Sequence, residues 1–165
     1  MQGKAREMET DENRTDDGLL TLSSSRSTEV SLMSVRVKKA GLDKRRKGML
    51  GKVPDHGDHA DFALGILDIK DLAYLTAATG DEFAILRGRD KDILWHGTPL
   101  ECDVLSQYET ELKTHKLELF AHSHPGEPIP EASLNDRKFL RYIGQKKSRV
   151  ISGMTGVSIE FEDTF

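Results

Sequence analysis

The chain has 165 residues and a formal net charge of −4, with 36% hydrophobic and 32% charged residues. This length suits one domain with, at most, a tail or a small appendage. Cys102 is the single cysteine, which excludes an intrachain disulfide and the usual cysteine-rich structural zinc sites.

The N-terminal residues lack the apolar core of a secretory signal, and the sequence contains no apolar stretch as long as a transmembrane helix. We therefore expect no membrane insertion and a cytoplasmic location, with delivery as an effector left open.

The first sixty residues are predicted to form an N-terminal segment that is flexible or partly structured. Residues 1–28 are rich in acidic, Ser and Thr residues and nearly free of large apolar groups, which is typical of disorder. Residues 29–38 are enriched in β-branched residues and predict a weak strand.

A strongly basic run covers residues 36–52. It has no interleaved aromatic residues that could stack on bases, so nucleic acid is not an expected partner. A solvated linker or an intramolecular contact is the preferred interpretation. Gly and Pro residues extend the predicted linker to about Ala60 and place a domain boundary there.

Residues 61–165 have the pattern of an α/β domain with a mixed sheet. Helical spacing of apolar residues alternates with short apolar runs that suit strands. The predicted elements, in chain order, are a helix within 62–78, hairpin strands at 82–86 and 93–96, a helix at 103–113, a strand leading to His124, a helix after Ser133, and strands at 148–152 and 157–161.

The strongest functional motif is the run His122-Ser123-His124-Pro125. Because side chains alternate along a strand, His122 and His124 point to the same face. A Pro/Gly-rich loop then leads to Ser133, a good helix N-cap, which places Asp136 in the first helical turn. Two imidazoles and one carboxylate leave the fourth tetrahedral position for water, as hydrolytic zinc requires. The motif therefore predicts a Zn²⁺ site.

The order of these motifs resembles the JAMM (JAB1/MPN/Mov34) zinc metalloprotease family. The resemblance spans about residues 61–165. The stretches TGDEFAILRG, HSHPG and GQKKSRVIS are similar to bacterial JAB-like domains of polymorphic toxins. The resemblance to the JAMM family implies a cytidine-deaminase-like α-β-α sandwich with a mixed sheet, in which His122, His124 and Asp136 bind Zn²⁺. It also implies hydrolysis of an amide bond in a protein or peptide substrate, including isopeptide bonds to ubiquitin-like modifiers.

The resemblance assigns catalytic roles to two further residues. Glu82 matches the upstream acid that acts as general base, although Asp81 aligns better on the small residue and glycine that follow. Ser133 matches the serine that stabilises the oxyanion. The loop between His124 and Ser133 holds eight residues, one more than the family usually has, and helix capping alone also accounts for this serine.

Two other classes of function are considered. A non-catalytic MPN-like binding or scaffold module would share the fold, but the retained ligand set argues against it. A nucleobase deaminase requires an H-x-E motif and a P-C-x-x-C pair, which a single cysteine cannot provide.

The remaining histidines receive simpler interpretations. His56 and His59, in the segment HGDHAD, are expected in a solvated loop, with weak metal binding as the alternative. His96 is expected to pack or to contact substrate, and His115 to lie at the surface. The sequence makes no prediction of the oligomeric state.

Overall fold

The computed structural model describes residues 41–164, which form one mixed β-sheet with helices on both faces. Residues 1–40, with the predicted disordered segment and weak strand, lie outside the described residues. Among residues 41–164, each helix is too short or too polar to cross a bilayer. The elements are α1 (Lys44–Lys52), β1 (His59–Ala63), α2 (Ile69–Thr79), β2 (Phe83–Arg87), β3 (Lys91–His96), α3 (Leu105–Lys113), β4 (Glu118–His124), α4 (Leu134–Ile143), β5 (Lys147–Ser152) and β6 (Ser158–Glu162).

The six strands follow the order β1-β3-β2-β4-β5-β6 across the sheet. Neighbouring strands are antiparallel except β4 and β5, which run parallel with His122 opposite Val150. A parallel pair requires a crossover connection, and α4 provides it. The chain therefore passes from the end of β4, through the loop of residues 125–132, into the first turn of α4.

Alternation along the central strand β2 divides the core into two layers. Ala84 and Leu86 pack on one face with the layer that contains residues of α3 and α4. Phe83 and Ile85 pack on the other face with the layer that contains residues of α1 and α2. Each residue is fully buried, as expected for a central strand covered on both faces. The predicted α/β class with a mixed sheet is confirmed.

Local capping explains where the two central helices begin and end. Asp68 caps α2 in a capping box with Asp71, and Ser133 caps α4 in a capping box with Asp136. Gly80 and Gly144 follow these helices in the left-handed conformation. The helices predicted from these signals are confirmed, as are the β2–β3 hairpin, α3 and the two closing strands.

The linker predicted up to Ala60 is wrong where the structure describes it. The basic run forms α1, which begins after the capping residue Asp43 and buries Met49, while Val53 is buried just beyond its end. Strand β1 then pairs with β3, so the predicted boundary at residue 60 falls inside a strand. Residues 43–63 therefore contribute to the same core as the rest of the sheet.

The alternative interpretation of the basic run, an intramolecular contact, is confirmed within α1. Arg45 donates two hydrogen bonds to the Asp71 carboxylate, at 2.9 and 2.7 Å, and the Arg46 Nε donates a third at 2.8 Å. Burial favours the neutral form of Asp71, but these hydrogen bonds outweigh it and lower its pKa. We call Arg45, Arg46 and Asp71 the arginine clamp; it fastens α1 to α2.

Candidate metal centre

Three predicted ligands meet where β4 ends and α4 begins. His122 and His124 point to the same face of β4, and Asp136 reaches them from the first turn of α4. The two Nε2 atoms are 3.1 Å apart, and the Asp136 Oδ2 lies 3.3 Å from that of His122 and 3.2 Å from that of His124. The structure thus brings the three side chains together in a nearly equilateral triangle of donor atoms.

The size of this triangle fits zinc. Bonds of about 2.0–2.1 Å at tetrahedral angles separate neighbouring ligand atoms by about 3.3 Å. The observed edges of 3.1 to 3.3 Å are close to that value. Two imidazoles and one carboxylate are also a usual donor set for a catalytic zinc ion, which keeps one position open. These residues could therefore hold Zn²⁺.

The charges of the cluster are strongly coupled. Burial lowers the pKa of His124, but the hydrogen bond and negative charge of Asp136 outweigh it and raise that pKa to about 9. Burial also favours neutral Asp136, yet the hydrogen bonds from both histidines hold its pKa well below the ordinary value. The cluster is therefore built around an ionised Asp136.

The second ring nitrogens of the two histidines differ. The Nδ1 of His124 lies 3.4 Å from the Glu127 Oε1, a carboxylate that can orient a ligating imidazole. The Nδ1 of His122 is buried and has no hydrogen-bond partner among the described residues. The polar contacts of His122 thus lie on its Nε2 side, where the donor triangle is. Sequence reasoning missed Glu127, although its spacing three residues after His124 was available as a signal.

Glu82 lies beside the triangle, with its Oε2 3.9 Å from the His124 Nε2. Its backbone is held in place: its N–H donates to Thr98 and its carbonyl accepts from Gly97, at 2.8 and 2.7 Å. A Cβ atom on Gly97 would lie 2.4 Å from the Glu101 carbonyl oxygen, so only glycine fits this close approach. Burial raises the pKa of Glu82 to about 7, with His124 opposing and Asp136 adding to the rise.

The neighbouring Asp81 points to the opposite face of the sheet. Its Oδ2 lies 2.8 Å from the Nε2 of His96 and 3.0 Å from the Nε2 of His56. Consecutive residues alternate between faces just ahead of β2, so only one of the two acids faces the triangle. The structure brings Glu82, and not Asp81, to the cluster of His122, His124 and Asp136.

Ser133 lies at the mouth of the cluster and is exposed. Its Oγ accepts a hydrogen bond of 3.0 Å from the Asp136 N–H, and its own N–H donates to the Asp136 Oδ2 at 2.9 Å. The capping role is therefore present. Because the hydroxyl oxygen acts as an acceptor in that bond, its hydrogen remains available for a second partner in the groove.

A groove of about 710 Å³ opens above the donor triangle, between the sheet and helices α3 and α4. Its walls combine the polar cluster with apolar side chains, as expected of a binding site for a substrate with both kinds of group. The residues along it include Glu82, Leu100, Cys102, Leu105, Leu119, His122, His124, Ser133, Asp136 and Phe139.

A buried hydroxyl pair fixes the strand from behind. The Ser123 side chain, between the two ligand histidines, lies 2.5 Å from the Thr76 hydroxyl of α2 and accepts from the Phe83 N–H at 2.9 Å. This pair ties β4 to α2 and to the start of β2. It holds the ligand strand next to the residue that follows Glu82.

The remaining histidines only partly match their predictions. His115 is exposed, as predicted, and His96 is buried and packs on Phe83. His59 was wrongly predicted in a solvated loop: it lies in β1, stacks on Trp95 and contacts the Tyr108 hydroxyl. The contact of His56 with Asp81 was not predicted, because the two residues are distant in sequence.

Comparisons with protein-family models, curated proteins and solved structures find no match to this chain. The resemblance described above therefore depends on the motif residues of the chain itself.

Proposed function

We propose that the chain is a zinc-dependent metallopeptidase or isopeptidase of the JAMM type, with His122, His124 and Asp136 as zinc ligands. The donor triangle, with edges of 3.1 to 3.3 Å, carries the proposal. The acid beside it and the groove above it support hydrolysis rather than purely structural metal binding. Bound zinc would supply Lewis-acid activation of a carbonyl group and of water.

In this proposal Glu82 is the general base. A carboxylate accepts a proton best during catalysis when its pKa is near the working pH, and in the metal-free protein burial raises the pKa of Glu82 to about 7. Glu82 would take the proton of the attacking water and later give it to the leaving amine. The backbone bonds to Gly97 and Thr98 keep this side chain at the groove floor.

Ser133 is assigned the oxyanion role in addition to its cap. The capping box uses the hydroxyl oxygen only as an acceptor. The hydroxyl can therefore donate a hydrogen bond to the substrate oxygen that gains negative charge during hydrolysis. The substrate is a peptide or a protein that places an extended segment along the groove, and a conjugate of a ubiquitin-like modifier is the candidate that the resemblance adds.

The central experiment measures zinc and hydrolysis together in four proteins: wild type, His122→Ala, Glu82→Gln and His115→Ala. Zinc is quantified by elemental analysis of the untagged chain. Hydrolysis is measured on an internally quenched peptide library and on an isopeptide-linked ubiquitin dimer. The exposed His115 lies outside the cluster and serves as the matched control.

We expect His122→Ala to lose one equivalent of zinc and all hydrolysis. Glu82→Gln should keep its zinc and lose about 10²–10⁴-fold in rate, the usual contribution of a general base. His115→Ala should behave as wild type. Zinc retained in full by His122→Ala would contradict the site. If His122→Ala loses zinc but the wild type hydrolyses no substrate, the non-catalytic binding module is favoured.

A further inference from the structure

A second histidine and aspartate cluster lies on the opposite face of the sheet. The donor atoms of His56, Asp81 and His96 all lie within 4.8 Å of one another. This cluster is separate from the proposed catalytic centre, because Asp81 and Glu82 point to opposite faces. His96 and Asp81 are buried, whereas the His56 side chain is 55% exposed.

The hydrogen bonds of His96 determine which nitrogen faces the cluster. Its Nδ1 lies 2.6 Å from the carbonyl oxygen of Val53, and a carbonyl oxygen only accepts. The Nδ1 therefore carries the hydrogen. In the neutral ring the Nε2 then presents a lone pair, and this lone pair faces the Asp81 Oδ2 at 2.8 Å. Two electron-rich atoms at that distance require a proton or a cation between them.

A bound cation would satisfy both of these atoms, and a third donor atom lies within its reach. The His56 Nε2 converges on the same Oδ2, at 3.0 Å. A backbone carbonyl on the far nitrogen is also the usual way in which a ligating histidine is oriented.

We propose that His56, Asp81 and His96 form a second zinc site with a structural role. The donor set of two imidazoles and one carboxylate suits Zn²⁺, and the exposed side of His56 leaves the fourth position to water. The contacts of 2.8 and 3.0 Å are slightly shorter than a tetrahedral edge of about 3.3 Å, so zinc binding requires both imidazoles to move a few tenths of an ångström away from the Asp81 carboxylate.

The ion would brace the backbone that holds Glu82. The Gly57 N–H donates to the His96 carbonyl at 2.7 Å, and the His96 N–H donates to the Asp58 carbonyl at 2.9 Å. His96 is followed by Gly97, which bonds to Glu82. Zinc at this site therefore joins the loop after α1 to the end of β3, directly behind the general base.

The test is a difference in zinc content between full-length, untagged proteins at micromolar free zinc. His56→Ala should contain one equivalent fewer than wild type, and His115→Ala should equal wild type. His56 is exposed, so its removal leaves folding intact, which circular dichroism checks. All six histidines of the chain lie among the described residues, so residues 1–40 contribute no imidazole. Equal zinc in His56→Ala and wild type would overturn the proposal.

A second measurement separates this site from the proposed catalytic one. In His122→Ala, added zinc should slow hydrogen exchange at the Gly57 and His96 amides, and in His56→Ala/His122→Ala it should not. Unchanged exchange in His122→Ala would overturn the structural site. Failure of the proposed catalytic zinc site would instead appear as equal zinc contents in His122→Ala and wild type, whatever the result for His56→Ala.

Discussion

Asp71 and Glu82 are two buried carboxylates on opposite faces of the same sheet, and their surroundings differ. Asp71 receives three hydrogen bonds from Arg45 and Arg46, which lower its pKa. Glu82 has an ion-pair contact with His124 at the longer distance of 3.9 Å, and burial raises its pKa to about 7. The arginine clamp uses a carboxylate for stability, whereas in the proposed function the groove holds one that exchanges a proton.

The difference shows where this fold tolerates an unfavourable group. A buried carboxylate that accepts no hydrogen bond from a cation costs free energy, and such groups concentrate at functional sites. The face with α1 and α2 is fully paired around Asp71. The face with α3 and α4 keeps Glu82 next to an open groove. Three substitutions test this contrast, in order of decreasing effect.

Ser133→Gly should separate the oxyanion role of this serine from its capping role. Glycine is a nearly adequate N-cap, so we expect the free energy of unfolding to fall by only a few tenths of a kcal/mol. Loss of the hydroxyl should lower kcat about 100-fold, as for removal of one oxyanion donor. Steady-state kinetics and urea denaturation measure the two quantities, with Ser133→Thr as control. An unchanged kcat would leave Ser133 with the capping role alone.

Asp71→Asn should break the arginine clamp and lower the free energy of unfolding by about 2 kcal/mol at pH 7. The pKa of Asp71 is lowered in the folded state, so its stabilisation is present above the unfolded pKa of about 3.9 and is lost as the pH falls through the folded value. Urea denaturation should therefore show the difference from wild type narrowing below pH 4.

The matched control for the clamp is Asp61→Asn, which breaks the exposed ion pair with Lys91. An exposed pair contributes little, so we expect a change within about 0.5 kcal/mol. Equal effects of Asp71→Asn and Asp61→Asn would show that the clamp adds no stability beyond that of a surface contact.

Glu82→Gln should have the opposite sign. The folded pKa of about 7 lies above the unfolded value of about 4.3. The wild type is therefore destabilised progressively as the pH rises from about 4.3 through about 7, because Glu82 ionises less readily in the folded state than in the unfolded state. In zinc-free protein with EDTA, the variant should be about 1–2 kcal/mol more stable than wild type at pH 8 and similar at pH 4.5. The exposed Glu101→Gln is the control; a destabilised Glu82→Gln would refute this account.

Local signals in the sequence predicted most of the sheet and the donor triangle. Strand alternation placed His122 and His124 on one face, and the capping pattern from Ser133 to Asp136 set the start of α4. The spacing of these residues is short, so the chain needs few long-range contacts to bring them together.

Features that depend on distant residues could not be predicted in this way. Helix α1 has a polar sequence, and its docking depends on Met49 and on the clamp to Asp71, 25 residues beyond Arg46. The cluster of His56, Asp81 and His96 requires the register of the hairpin. The choice between Asp81 and Glu82 likewise depended on which residue begins the alternation into β2.

The crossover from β4 through α4 supplies all three proposed zinc ligands, whereas Glu82 immediately precedes β2, the first strand of the β2–β3 hairpin. In the proposed function, metal binding and proton transfer are therefore encoded in separate stretches of the chain. During evolution, substitutions in the hairpin could alter or silence the chemistry while the metal-binding unit is conserved, and a catalyst could become a zinc-binding scaffold through changes at one end of one strand.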